Sequence, residues 1–441
     1  MTRLQVFLIL FAGNLNLAAQ VYPTILDQRQ RAQVINEVLA DRFEHLLPQL
    51  MRREGFDMWI LISREYNEDP VMKTMLPAEW ISARRRTVMV FSDNGVEVEQ
   101  LAIARYDVGL LKASWNLNVY PDQWDALIET ITKRNPKKIG INYSPNYAHA
   151  DGLNHYEYDQ LITRIPDPFK AKIHSAEKLA VAWLETRTTK EMILYEHIAS
   201  ISHRILREGL SDKVIQPGVT TTDDVVWWYR QRITELGLDT WFHPTVDIQR
   251  PDTGKFDHLR TFSKRPDIEI IQPGDLLHVD FGINYLRLNT DMQEHAYVLK
   301  PGENEVPEYL QKAFQQAHRL QDILTENFKA NLSGNQILAN ALAQAKSEGI
   351  TGAIYTHPIG SHGHAAGPTI GMWDNQGVTK GPGDYPLHPH TAYSIELNAS
   401  VSLPDWNGKV IRMMLEQDGY FDGTGFRYID GRQEAVYAVQ R

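Results

Sequence analysis

The sequence predicts an α+β protein in which helices pack on one curved antiparallel sheet, preceded by a smaller α/β domain. Three observations carry this. The 441-residue length is too great for one ordinary core and calls for two domains. Residues 20 to about 175 mix short strands with helices, and no glycine-rich phosphate loop or repeat interrupts them. After Thr186 the pattern changes to longer amphipathic helices, segregated from antiparallel-type strands.

Taken in order, residues 27–54 are helix-like, with Val34, Val38, Phe43, Leu46, Leu47 and Leu50 on the apolar face and a break near Pro48. Strand-like runs follow at 58–62 and 87–91. The Asp93-Asn94-Gly95 turn joins the latter to a strand over 98–104, a hairpin signal. A helix over 123–132 precedes a short strand at 139–142. In the second region Leu194, Ile198, Ile201 and Ile205 recur at helical spacing, as do Val225, Trp228 or Tyr229, Ile233 and Leu236 within 221–237. The cleanest amphipathic helix runs from Pro307 through Leu310, Phe314, Ala317, Leu320, Leu324 and Phe328. Ser333 with Gln336 forms a capping box for the next helix, which ends at Gly349. Strands are expected at 276–283, 295–299, 392–399, 410–416 and 435–439. The domains are therefore read as 20–180 and 185–441.

Composition narrows the chemistry. Lys and Arg number 45 against 55 Asp and Glu, a net charge of −10 that argues against nucleic acid as a partner. With no cysteine, disulfide frameworks, zinc ribbons, iron–sulfur clusters and thiol catalysis are excluded, and any metal must be held by His, Asp and Glu. At the N-terminus Arg3 precedes an apolar run from Leu4 to Ala12, and Ala18-Ala19 follow. This suits a signal peptide over residues 1–19 and an exported, periplasmic or secreted protein. No other segment reaches spanning length, so no membrane partner is expected once that segment is removed.

Four acids sit inside apolar strands, where an ionised carboxylate is costly unless paired or metal-bound. Asp280 lies in Leu276-Leu277-His278-Val279-Asp280-Phe281, and Asp291 opens the next strand eleven residues on. Glu396 and Glu416 repeat the pattern in the later strands. Each alone reads as an outward strand position; all four together do not. The loop 357–368 places His357, His362 and His364 among glycines and supplies a nitrogen ligand. Four carboxylates and a neutral imidazole balance two divalent cations. Oxygen-rich ligation with one imidazole suits Mn²⁺, Co²⁺, Fe²⁺ or Zn²⁺. Such a pair would activate water and polarise a carbonyl, the logic of a dinuclear hydrolase.

The order Asp280, Asp291, His364, Glu396, Glu416, with Gly363-His364-x-x-Gly367, resembles the pita-bread metallopeptidases: aminopeptidase P, prolidase, methionine aminopeptidase and their metal-free relative creatinase. The resemblance covers residues 185–441 and is nearest to Xaa-Pro aminopeptidase-like proteins. The preceding region is similar to the N-terminal domain of creatinase and prolidase. The resemblance implies a metal-dependent exopeptidase that cleaves the N-terminal bond of a peptide with proline second, by way of a metal-bridging hydroxide, in a homodimer. It implies that Asp280 chelates one metal, most readily Mn²⁺, that Asp291 and Glu416 bridge, and that His364 and Glu396 hold the second. Glu396 would also move the proton. His258, on the loop before the Asp280 strand, would contact substrate, with His243 the second choice. His362 is close enough to act on substrate as well. Two departures bear on specificity: Trp373 stands where these families carry another His, and Arg412 lies four residues before Glu416 rather than two. A creatinase-like amidine or amide hydrolase is the alternative within hydrolases, and a catalytically silent or remodelled binding protein is the alternative outside them.

Overall fold

The computed structural model describes residues 23–251 and 268–440. The proposed signal segment and His258 lie outside the described residues.

A six-stranded sheet organises the first region, in the order Lys112–Ala113, Val98–Ala102, Arg86–Asp93, Met58–Arg64, Ile139–Ile141, Ile173–Ser175. Its centre is antiparallel through the hairpin expected at Asp93-Asn94-Gly95, and its two flanks are parallel. Alternation along Met58–Arg64 splits the core. Trp59 and Leu61 pack with Phe43, Leu47 and Trp183 on one face, and Met58, Ile60 and Ile62 with Leu127 and Leu161 on the other. Where a break was expected near Pro48, the helical stretch is continuous and carries a π-turn at Arg42–Leu46 between Gln28–Asp41 and Leu47–Glu54. Proline has no N–H to donate and crowds the carbonyl four residues back, so the turn widens ahead of it.

In the second region, Thr245–Gln249, Leu276–Phe281, Met292–Val298 and Tyr437–Val439 form one sheet. Its outer face, with Val246, Leu277, Val279, Phe281, Met292 and Ala296, is buried against the helices Thr189–Gly209 and Thr222–Glu235. Both helices begin in capping boxes, Thr188 with Glu191 and Thr221 with Asp224. The helices Glu308–Glu326 and Gly334–Ser347 cover two further sheets, one pairing Leu397–Leu403 with Lys409–Leu415 and the other Thr391–Ser394 with Asp418–Phe421. Two long extended stretches pass from one of these sheets to the other, each broken once, at Ile395-Glu396 and at Glu416-Gln417. The strand expected over 392–399 is thus two strands, and the candidate glutamates sit at the breaks. No helix among the described residues is long and apolar enough to cross a membrane.

The two regions meet at the histidine loop. Tyr147 Oη donates to Gly367 O at 3.1 Å, and the His149 ring lies 4.6 Å from that of His362. Arg42 and Arg187 both pair with buried Glu191, at 2.6 and 2.8 Å, fixing the first helix to the second region.

Candidate metal centre and active site

Strand period and register bring the acids together. In the first of these sheets Gln293 lies directly opposite Asp280 and Asp247 opposite His278. Residues two apart share a face, so Asp247, His278, Asp280, Asp291, Gln293 and His295 all project inward. This face is polar yet closed over: Asp247, His278, Asp291, Gln293 and His295 are all buried. It meets the edge of Lys409–Leu415, whose backbone it satisfies. Gln249 accepts from Arg412 N (2.9 Å) and donates to Arg412 O (2.7 Å). His295 Nε2 accepts from Met414 N (2.9 Å), and the backbones of Gln293 and Glu416 pair.

Three overlapping groups of ligand atoms result, each with all its atoms within 4.8 Å of one another: Asp280 with Asp291 and Glu416, His357 with Glu396 and Glu416, and Asp291 with His357 and His364. Asp291, Glu416 and His357 each belong to two of them, and Asp291 and Glu416 are the two carboxylates so shared. Burial raises the carboxyls of Asp280, Asp291 and Glu396 well above the ordinary range, and mutual repulsion, led by Glu416, raises them further. Buried Asp418, which accepts from Asp291 N at 3.3 Å, is pushed up by the same two causes. Asp280 Oδ1 and His357 Nε2 are buried and have no hydrogen-bond partner among the described residues. An orphaned acceptor pair inside a cluster of carboxylates fits a divalent cation, whose charge offsets the repulsion.

The four carboxylates predicted from sequence therefore converge. Two histidines, not one, stand among the ligand groups. The imidazole grouped with Glu396 and Glu416 is that of His357, its Nε2 3.5 Å from Glu416 Oε1 and 3.6 Å from Asp291 Oδ2. His364 joins only the group with Asp291, and it stands exposed at the mouth, edge-on to His357 at 4.7 Å between ring centroids. The reason is local. His357 lies in a short strand paired with Thr391–Ser394, so it enters the site from the sheet itself, whereas His364 comes from the loop beyond. His362 is in none of these groups. It lines a cleft of about 660 Å³ between the two regions, with Lys73, Trp80 and Asp239. Gly363 leaves room for Trp241, whose ring would lie 2.3 Å from a Cβ there; the ring also packs edge-on to His364 at 5.1 Å. His243 packs edge-on against Trp227 outside the cluster. Trp373, 45% exposed, walls a small pocket with Tyr355, Glu396 and Arg412.

Sequence reasoning named His357 in the ligand loop without choosing it, and passed over Gln293. His357 had a legible signal, since it follows the extended 352–356 run directly; Gln293 had one only in register, two residues after Asp291.

A curved sheet carrying inward acids, with helices outside and a smaller domain ahead, is the pita-bread architecture of metallopeptidases. The chain matches metallopeptidase family M24 over residues 194–427, which is 234 of its 441 residues, and belongs to that family. Among solved structures it is similar to the X-Pro aminopeptidase from Thermotoga maritima MSB8, at 14% identity over 89% of this chain and 100% of that one, with a TM-score of 0.61. It is similar also to the Xaa-Pro dipeptidase from Bacillus anthracis (16% identity, 92% and 100% coverage, TM-score 0.58) and to the prolidase from Pyrococcus furiosus (12%, 88% and 100%, 0.54). At these identities the likeness is one of fold. No curated protein matches the chain by sequence.

Proposed function

We propose that the protein is an exopeptidase dependent on two divalent cations, acting on the N-terminal bond of peptides with proline second. The observation that carries this is the sharing of Asp291 and Glu416 among overlapping ligand groups. Asp280, Asp291 and Glu416 would hold one cation, and His357, Glu396 and Glu416 the other, with Asp291 reaching both. Bound there, the cations supply Lewis acidity that polarises the scissile carbonyl and acidifies a water. Glu396 is the only partly exposed carboxylate of the second group, and one of its oxygens is engaged by Gln293. The other takes the proton of the attacking water and returns it to the departing nitrogen. His364, at the mouth, donates a hydrogen bond to the substrate carbonyl, a role His258 can share, and His362 contacts the peptide along the cleft. The donor set suits Mn²⁺, with Co²⁺, Zn²⁺ or Fe²⁺ as substitutes. Export and a homodimer complete the proposal, the first supported by the run Leu4 to Ala12 and the second by the family resemblance.

The test is release of the first residue from Xaa-Pro dipeptides and longer Xaa-Pro peptides, after chelation and after reloading with Mn²⁺, Co²⁺ or Zn²⁺. Metal-restored release supports the reading, and the preferred length separates aminopeptidase from dipeptidase. No cleavage with two bound cations would instead favour a remodelled pocket, an outcome to which Trp373 beside Glu396 gives a structural basis.

Stability carries a second prediction. The raised carboxyls of Asp280, Asp291 and Glu396 favour the metal-free fold when protonated. Their contribution is fully present below the unfolded carboxylate range of about 4 and is lost as pH rises through the raised folded values. Cation binding demands the ionised forms and so strengthens with pH. The gap in Tm between Mn²⁺-loaded and chelated protein therefore widens from pH 5 to pH 8. A gap constant across that range, measured by scanning calorimetry, would contradict the cluster as the cation site.

A further inference from the structure

Behind the ligand cluster the polar face of the sheet holds a chain of side chains that no ligand assignment uses. Gln293 Nε2 donates to Glu396 Oε1 at 2.9 Å and to Glu416 Oε2 at 2.6 Å. Its Oε1 faces His278 Nε2 at 2.8 Å, and the Asp247 carboxylate lies 3.6 Å from the other ring nitrogen of His278. We propose that Gln293 is the positioning residue of the metal centre, its amide setting the separation and orientation of Glu396 and Glu416 while His278 fixes which way that amide points. This rests on the two-cation reading above.

The orientation is determined at the glutamate end, where Glu396 and Glu416 both accept. An amide oxygen only accepts, so His278 Nε2 then carries the hydrogen between them, and both amide hydrogens are committed to the glutamates. Turned over, the amide would present its oxygen to two carboxylates, replacing two attractive contacts with repulsive ones. His295 does not compete for the role, although its ring lies 5.2 Å from that of His278. Its Nδ1 contacts Leu277 O at 2.9 Å and its Nε2 accepts from Met414 N, so both nitrogens are engaged.

The two glutamates come from separate breaks in separate strands, so backbone geometry alone does not hold their carboxylates together. Among the described residues Gln293 is the only donor to the Glu396 carboxylate, and Glu416 has one other, Ser394 Oγ at 2.7 Å to Oε1. A neutral donor between them offsets their repulsion. A lysine or arginine there would neutralise the same charge but would compete with the cations for it. Each glutamate keeps lone pairs for a cation, at an angle that the amide sets.

The experiment titrates the metal-free full chain with Mn²⁺ by calorimetry and records the visible spectrum of the Co²⁺-loaded form, for wild type, Gln293→Met and His278→Phe. Wild type takes up two ions. Gln293→Met, close in shape but without either amide group, weakens uptake of at least one ion by roughly 10–100-fold and shifts the Co²⁺ bands. His278→Phe, which frees the amide to turn, moves both readouts the same way by less. A merely structural role would lower the Tm of the metal-free protein without moving the bands of whatever Co²⁺ is bound. Two-ion uptake by Gln293→Met within about twofold of wild type, with unchanged bands, overturns the proposal. Should that variant not fold, His278→Phe decides alone: unchanged affinity and bands overturn the proposal. If wild type itself binds no metal, the two-cation reading fails and this role fails with it.

Discussion

Asp291→Ala and Glu416→Ala each lower peptide turnover by at least about 10²–10³-fold, the scale of losing one charge-stabilising group at a reacting centre, and each reduces bound metal below two ions per chain. Both residues belong to two ligand groups, so either substitution damages both cation positions, whereas Asp280→Ala damages one. Unfolding does not explain the expected loss. The cluster is self-repulsive without cations, as the raised Asp280, Asp291 and Glu396 carboxyls show, so removing one carboxylate relieves the metal-free protein. Its Tm should stay level or rise while metal uptake falls, a combination that ordinary core damage does not give. Asp418→Asn is the control. It lies beside Asp291 but in none of the ligand groups, and burial with Glu416 repulsion favours its protonated form, which asparagine imitates. It should retain both ions. Metal counted by mass spectrometry, with turnover on an Xaa-Pro peptide, checks all three. Full activity and two bound ions in Asp291→Ala or Glu416→Ala would remove these residues from the site.

The carboxylates were legible in the sequence because each violates its surroundings. Asp280 between Val279 and Phe281, and Glu416 after Met413-Met414-Leu415, break apolar runs that burial would otherwise explain. The sheet geometry shows what those runs conceal: Leu277, Val279 and Phe281 face the helices, and His278 and Asp280 between them face the site. Helices were legible for the same reason of period, and the capping box at Ser333 fixed one of their starts. The breaks at Ile395-Glu396 and Glu416-Gln417 were not legible, because a strand that changes sheets keeps its extended residues and leaves no turn signal. Nor was the pairing of Gln249 with the Arg412 backbone, since a side chain standing in for a strand edge has no local sequence mark. Glycine spacing in the histidine loop likewise drew attention to His364, where Gly363 answers to Trp241 rather than to a ligand.

The histidines give the second large effect. His357 Nδ1 contacts Pro358 O at 3.0 Å, and a carbonyl only accepts, so the ring hydrogen sits on Nδ1 and Nε2 presents its lone pair to Asp291 and Glu416. A lone pair aimed at two carboxylates is repulsive without a cation between them; with one, the Pro358 contact is the outer hydrogen bond that holds a ligating imidazole in place. His364 is exposed, grouped only with Asp291 and His357, and packed against Tyr355 and Trp241 at the mouth. His357→Ala should therefore lose at least one ion and, with it, turnover. His364→Ala should keep both ions and their affinities while kcat falls by roughly 10²-fold, the contribution of one hydrogen bond aimed at developing charge. His362→Ala, on the cleft wall, should raise KM more than it lowers kcat. Metal content separates the first two without any substrate in hand. If His364→Ala loses the ion and His357→Ala keeps it, the loop histidine is the ligand after all, and the lone pair of His357 then needs a proton rather than a cation to sit where it does.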